Sequence, residues 1–297
     1  MEKGWAYHAG KLLSKILCLL PYGFLVWAGR KLGILFFHIA SRLRERGKHQ
    51  MMRGLAISEE KAMPILKRMF GNVVTTMLEV LYLPNISPEN VDQYVACEGL
   101  HYLDHALKEG NGAVIMTAHF GNWELCALTL AMKGYPMIGL AKPQPNAGIT
   151  TLLTEFRTRY GGSLYYKGAA LRQVIQALKD NKFVFVVSDQ DGGKDGIIID
   201  FLNKPASTPA GPAAFARRCS APVIPVFMRR VGRKHLLVVD PPIELQETDN
   251  IKADIRYNLF IITKRVEEQI RKYPEEWLWF QKRWNTPVEV AKKHEHQ

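Results

Sequence analysis

His119 and Glu124 stand five positions apart in the segment HFGNWE. An imidazole with a carboxylate beside it is a general base, because the carboxylate fixes the ring tautomer and stabilises the protonated form. The flanking residues bear on whether the two can meet. GAVIMTA, Gly112 to Ala118, reads as a buried strand, and LCALTLAM, Leu125 to Met132, as a helix. Asn122 is a good N-cap, which puts Glu124 in the first helical turn and lets the chain fold the carboxylate back towards the imidazole. With nine histidines and 28 acidic residues in 297, one chance match to H-x4-[DE] is expected, so a catalytic His119 competes with a satisfied structural histidine. The spacing recurs at His235 and Asp240 in HLLVVD. There, a continuous strand rising about 3.3 Å per residue sets the two side chains on opposite faces and roughly 16 Å apart. Only the His119 match has a turn that could close it.

From about Tyr94 the pattern becomes that of an α/β chain, with a mostly parallel sheet flanked by helices. Strands are expected over Gly112–Ala118, Pro136–Ala141, Ser163–Tyr166, Phe183–Ser188, Ile197–Phe201, Val223–Met228 and His235–Val239. Helices are expected over Trp123–Met132, Ile149–Tyr160, Ala169–Asp180, Pro209–Cys219 and Asp249–Lys272. In such a sheet, ligands bind at the carboxyl ends of the strands. His119 ends the first strand, AKPQPN (Ala141 to Asn146) the second and SDQDGGKDG (Ser188 to Gly196) a later one. Polar segments far apart in sequence thus converge on one rim.

Two further motifs belong to that rim. FRTRYGG places Arg157 and Arg159 at a helix C-terminus. There an arginine can clamp a phosphate, stabilise an oxyanion or only complement the helix dipole. Two positions apart, they point in different directions, so one of them faces the site. Asp189 and Gln190 offer hydrogen-bonding groups to an acceptor or a carrier, against the alternative of an ordinary Asp/Gly turn. EEWLWFQKRW, Glu275 to Trp284, reads as a docked C-terminal segment.

The net charge of +12 implies acidic partners: nucleic acid, anionic lipid or an acidic protein. The charge is concentrated: residues 1–53 hold ten Lys/Arg against two acids, a net +8, in a segment that is also very apolar. Basic plus apolar favours a membrane surface over nucleic acid. Ile16 to Gly29 is uncharged but, at 14 residues, shorter than the roughly 20 a spanning helix needs, and Pro21 and Gly23 would kink it. Amphipathic helices in the cytoplasmic leaflet, a tilted span, or helices packed on the core all remain open. The resulting division is a basic anchoring segment over 1–53, an α/β domain over 54–285 and a polar tail over 286–297. Cys18, Cys97, Cys126 and Cys219 have no metal-ligand spacing and read as reduced thiols; no P-loop or GxGxxG is present.

HFGNWE, KPQPN, RTRYGG, SDQDGG with the following DFLNKPASTPAGPAAFARR, APVIPVFMRR and WLWFQKRW occur in this order. Together they resemble the bacterial lipid A biosynthesis (late) acyltransferases, the lauroyl/myristoyl transferase family, over nearly the whole chain. The resemblance implies a glycerolipid-acyltransferase-like fold and an enzyme on the cytoplasmic face of the inner membrane. Such an enzyme moves a fatty acyl group from acyl carrier protein to a hydroxyl of a lipid A precursor in lipopolysaccharide biosynthesis. It implies no cofactor beyond that thioester donor, contact with anionic membrane lipid, and no nucleic acid. His119 matches the family's catalytic base and Glu124 its carboxylate partner. Lys142 and Asn146 match a polar segment that usually carries Arg and Asn, so Lys142 departs from the pattern. Arg157 and Gly161 match an Arg/Gly segment, and Asp189 and Gln190 an Asp-Gln segment. Rival readings are an acyltransferase for another membrane lipid, such as a phosphatidylinositol mannoside or a lysophospholipid, and a non-enzymatic basic binding protein. Glycerolipid enzymes usually carry Asp in the dyad and a Pro-Glu-Gly-Thr-Arg type loop, neither of which is found here.

Overall fold

The computed structural model of the protein describes residues 3–166 and 170–290. Its organising element is a strand with no polar face. Ala113–Thr117 (β2, AVIMT) is buried at every position, as a strand must be when helices cover both sides of a parallel sheet. β2 pairs in parallel with Phe183–Val187 (β5) on one side and with Val223–Val231 (β8) on the other. Met137–Ala141 (β3) joins β5, and Ser163–Tyr166 (β4) joins β3, both in parallel. Beyond β8, the register turns antiparallel to Lys234–Val239 (β9), and Val95–Glu98 (β1) closes that edge. The seven strands therefore run in the order β1-β9-β8-β2-β5-β3-β4, a mostly parallel sheet as expected.

Ile197–Phe201 (β6) is a strand but lies outside this sheet. It pairs antiparallel with Lys204–Thr208 (β7) in a separate hairpin. The connecting residues Leu202 and Asn203 both have positive φ, the geometry of a tight two-residue hairpin turn. A local partner was available, so β6 never reached the sheet.

Leu100–Glu109 (α5), Trp123–Met132 (α6), Ala147–Arg157 (α7), Ala170–Lys179 (α8), Gly211–Cys219 (α9) and Ile251–Lys272 (α10) make up the flanking layers. The expected helix start at Ala169, and residues 291–297 of the polar tail, lie outside the described residues.

Four helices precede the sheet: Trp5–Cys18 (α1), Tyr22–Ile39 (α2), Ser41–Leu55 (α3) and Glu59–Tyr82 (α4). α2 crosses α4 where Gly33 meets Gly71 and Phe70. A Cβ on Gly33 would stand 2.5 Å from both the Gly71 Cα and the Phe70 carbonyl oxygen, so only glycine permits this approach. The inner faces of α2 and α3 bury Leu25, Val26, Phe37 and Met51. The outer faces of α1 and α2 leave large apolar side chains in the open, among them Trp5, Leu19, Trp27 and Ile39, with Leu19 85% exposed. Among the described residues, no single helix is long and apolar enough to cross a membrane. α2 and α3 meet those criteria only together, and they are bent by 92°.

Candidate active site

His119 follows β2 directly, and Asp189 and Gln190 follow its neighbour β5. Adjacent parallel strands end on the same rim, so the two segments meet. The His119 Nδ1–H donates to Asp189 Oδ1 at 2.7 Å. With Nδ1 protonated, Nε2 carries the lone pair, and it accepts from the Gln190 side-chain amide at 3.2 Å. The other carboxylate oxygen of Asp189 accepts from Trp277 Nε1 (2.7 Å) and Gln281 Nε2 (2.8 Å). Asp189 is only 1% exposed. A buried carboxylate with three donors stays ionised. Burial alone would raise its pKa, but the charge and hydrogen bond of His119, with Gln281 and Trp277, hold it down to about 2. Burial likewise presses the His119 pKa down. The charge and bond of Asp189, and the charge of Glu124, outweigh it and leave the imidazole above its ordinary value of 6.5.

The expected closure of Glu124 onto His119 is therefore not what the structure holds. Glu124 accepts from Arg157 Nε at 2.8 Å and also from its NH2 group, and from Trp123 Nε1 at 3.2 Å. The reason is local. Asn122 caps α6 through the Leu125 N–H at 2.9 Å, as its sequence position implies. That places Glu124 in the first turn, facing the C-terminal end of α7, where Arg157 lies. Glu124 still acts on the imidazole through its charge, at longer range.

The turn between β2 and α6 is fixed from two sides. Gly121 has φ +55, and a Cβ there would stand 1.8 Å from the Met228 carbonyl oxygen. The C-terminal segment pairs with the turn: Gly121 N–H donates to Glu276 O (2.9 Å), and Leu278 N–H to His119 O (3.1 Å). The expected docked segment thus holds both the backbone of His119 and the carboxylate of Asp189.

A pocket of ≈ 590 Å³ opens at this rim. His119, Glu124, Arg157, Gln190 and Lys142 lie on its walls, with Leu128, Ala131, Met137, Leu140, Phe185 and Phe215 supplying apolar surface. Of the two arginines, Arg157 faces it. Arg159 lies off it, its guanidinium 5.7 Å from the centre of the Tyr160 ring. Asn146 is also off the lining; its side chain caps α7 through the Ile149 N–H at 3.1 Å. Among the described residues, no group of three or more His, Cys, Asp or Glu side chains could hold a metal ion.

Sequence reasoning passed over Glu79. This α4 residue is fully buried and binds Arg230 through two bonds (2.8 and 2.7 Å), Tyr22 OH (2.7 Å), Asn122 Nδ2 (2.9 Å) and His235 Nε2 (3.2 Å). Burial would raise its pKa; the charges and hydrogen bonds of His235 and Arg230 bring it well below the carboxylate range. Its bond to Asn122 ties the cap of α6 to the core. The signal was present: a lone carboxylate in the apolar run VVTTMLEVLYL has to be paired if it is buried. His235 was rightly separated from Asp240, which accepts from Gln269 instead. It is nonetheless a buried partner of Glu79, so its replacement would take a donor from that carboxylate.

A mostly parallel sheet with a part-buried, carboxylate-oriented histidine at the mouth of a largely apolar pocket fits an acyl-transfer type of site. The chain matches the model of the family described as bacterial lipid A biosynthesis acyltransferase over residues 1–286, and it belongs to that family. It is an acyltransferase. Its relatives are distant. A lipid A biosynthesis acyltransferase of Haemophilus influenzae is 21% identical over 93% of this chain and 86% of its own length. A lipid A biosynthesis myristoyltransferase of Escherichia coli is 22% identical over 82% and 76%. A phosphatidylinositol mannoside acyltransferase of Mycobacterium tuberculosis is 24% identical over 72% and 68%.

Proposed function

We propose that the protein transfers a fatty acyl group from the thioester of acyl carrier protein to a hydroxyl of a lipid A precursor. The observation that carries this reading is the His119–Asp189 pair, whose basic ring nitrogen, Nε2, lies at a largely apolar pocket of ≈ 590 Å³. The acceptor hydroxyl takes the place of the Gln190 amide at Nε2 and gives up its proton there. Its oxygen attacks the thioester carbonyl carbon. The tetrahedral intermediate collapses, the C–S bond breaks, and the leaving thiolate takes the proton back from the imidazolium. Asp189 holds the tautomer that makes Nε2 the base and stabilises the imidazolium between the two steps. The Gln190 amide is a neutral donor placed beside the reacting atoms, suited to the developing oxyanion.

Glu124 serves as a second negative charge near the ring and as the anchor that keeps Arg157 on the pocket wall. Arg157 and Lys142 face the substrate, and the apolar wall takes the acyl chain. Asn146 contributes by capping α7, and Arg159 is given no contact with substrate. The net charge of +12 suits an acidic carrier and an anionic lipid acceptor. The exposed apolar outer faces of α1 and α2 and the basic segment over residues 1–53 support an in-plane anchor on the cytoplasmic face of the inner membrane.

A second reading, transfer to a mannosylated phosphatidylinositol, is favoured by the 24% identity to the Mycobacterium tuberculosis enzyme. The test is transfer of a labelled acyl group from acyl carrier protein to each acceptor in parallel, with wild type and His119→Ala. Transfer to the lipid A precursor that is lost in a folded His119→Ala supports the proposal. Transfer to the mannoside alone selects the second reading, and undiminished turnover by His119→Ala refutes the mechanism.

A further inference from the structure

A second pocket, of ≈ 280 Å³, lies on the other side of the C-terminal segment and has no part in the chemistry above. Three elements distant in sequence build it. α3 contributes Arg46, His49 and Arg53 from one helical face, the start of β7 contributes Lys204, and the C-terminal segment contributes Lys282 and Trp284. Four permanent cations and a histidine therefore surround a concavity in which, among the described residues, no carboxylate takes part. Arg53, Lys204 and Lys282 make no ion pair among the described residues. Lys48, on the same helix but outside the pocket, is paired with Glu45 and Glu59. The chain thus neutralises a neighbouring cation and leaves those around the pocket unneutralised.

The Trp284 ring forms one wall of the pocket, with the Lys204 ammonium 5.8 Å from its centre.

We infer that this pocket binds a phosphate monoester. A monoester carries close to two negative charges near neutral pH and three strong acceptor oxygens, which matches several cations around one concavity. A diester offers one charge and leaves most of the cations unmet. Arginine at 46 and 53 supplies the planar fork that suits phosphate oxygens. The site goes beyond the acyl-transfer reading and stands apart from it, because phosphate binding is measured without turnover.

The location gives such binding a route to the active site. Trp277 and Gln281 donate to Asp189, while Lys282, Trp284 and Asn285 line the second pocket. Gln50, on the wall of that pocket, donates to the carbonyls of Trp279 (2.8 Å) and Gln281 (3.0 Å). One stretch of chain therefore forms the back of the catalytic carboxylate and the wall of the basic pocket.

The experiment uses the full chain, with two probes. Calorimetry measures binding of inorganic phosphate. Flotation measures binding to phosphatidylcholine vesicles carrying either phosphatidic acid, a monoester, or phosphatidylglycerol, a diester, at equal mole fraction. The test variant is Arg53→Gln with Lys204→Gln; the control is Lys108→Gln with Lys179→Gln, which removes the same charge elsewhere on the surface. Wild type is expected to bind at least one monoester probe, and the test pair to weaken that binding by about a hundredfold, roughly tenfold per charge-assisted contact. The control pair is expected to bind like wild type. Binding of inorganic phosphate without preference for phosphatidic acid assigns the site to a soluble phosphate; the reverse assigns it to a lipid headgroup. Equal losses in test and control pairs would overturn the proposal, as would a folded wild type that binds neither monoester. If the test pair does not fold, Lys282→Gln replaces it, with about a tenfold loss expected.

Discussion

Replacing Asp189 by Asn tests the base more sharply than removing the histidine, because the side chain keeps its size. Oδ2 of Asp189 accepts from both Trp277 and Gln281, and Oδ1 from His119. An asparagine has one acceptor oxygen. Two fixed donors claim it, so its NH2 turns to His119. Nδ1 must then accept, the proton moves to Nε2, and the lone pair facing the pocket is lost. In a Ser-His-Asp triad, the same exchange costs about 10⁴ in kcat by forcing the wrong tautomer. General-base catalysis as a whole is worth about 10²–10⁴. We therefore expect a fall in kcat towards the upper end of that range with little change in KM. The pH profile gives a second readout. The base must be neutral to work, and the His119 pKa is raised, so wild-type kcat/KM should climb with pH through an inflection above 6.5. In the Asn variant the principal raising influences are gone and burial remains. The inflection of the residual activity should move to lower pH. The assay is transfer of labelled acyl from acyl carrier protein across a pH series, with melting curves to confirm folding. A folded Asp189→Asn with wild-type kcat, or an unmoved acid limb, would refute the assignment of Asp189 as the partner of the base.

Glu124→Gln keeps a hydrogen-bond acceptor for Arg157 but removes the charge; its loss in kcat should be smaller than that of Asp189→Asn, and an equal loss would place Glu124 at the imidazole. Glu79→Gln leaves Arg230 buried without its counter-charge, so it should lower stability by about 3–5 kcal/mol, read from denaturant midpoints; a shift within error would show that the buried network is dispensable. Gly33→Ala forces α2 away from α4 and should cost about 1–3 kcal/mol, whereas Gly232→Ala lies at an open turn and serves as a comparison for backbone strain alone. Leu19→Glu with Trp27→Glu should release the protein from anionic vesicles in sedimentation while leaving its melting temperature unchanged; retention on the vesicles would exclude the outer faces of α1 and α2 as the anchor.

The central strands were legible because they are uniform runs of Val, Ile, Phe and Met with no helical period, and the convergence of His119, Lys142 and Asp189 follows from strand ends alone. β1 and β7 were missed for physical reasons. VACE is only four residues long, and KPAST has a proline and few branched side chains, so neither carries its own strand signal. The helix α5 fell in the unassigned stretch between Tyr94 and Gly112. The partner of the base was the harder problem. Glu124 is near His119 in sequence, and local spacing favours it. Asp189 is seventy residues away, brought in by the pairing of β2 with β5. No local pattern encodes which of two carboxylates wins that contact; it depends on strand order. Glu79 was hidden in the same way, its partners spread over α2, the turn before α6, β8 and β9.

The close crossing of α2 over α4 at Gly33 has a mechanical consequence. α4 carries Glu79, which grips the turn before α6, and Tyr22 at the start of α2 grips the same carboxylate. The apolar keel along the outer face of α2 is thereby riveted to the turn that bears the base. Whatever surface that keel settles on also sets the heading of the pocket mouth, so a tilt of the helix becomes a tilt of the whole catalytic rim.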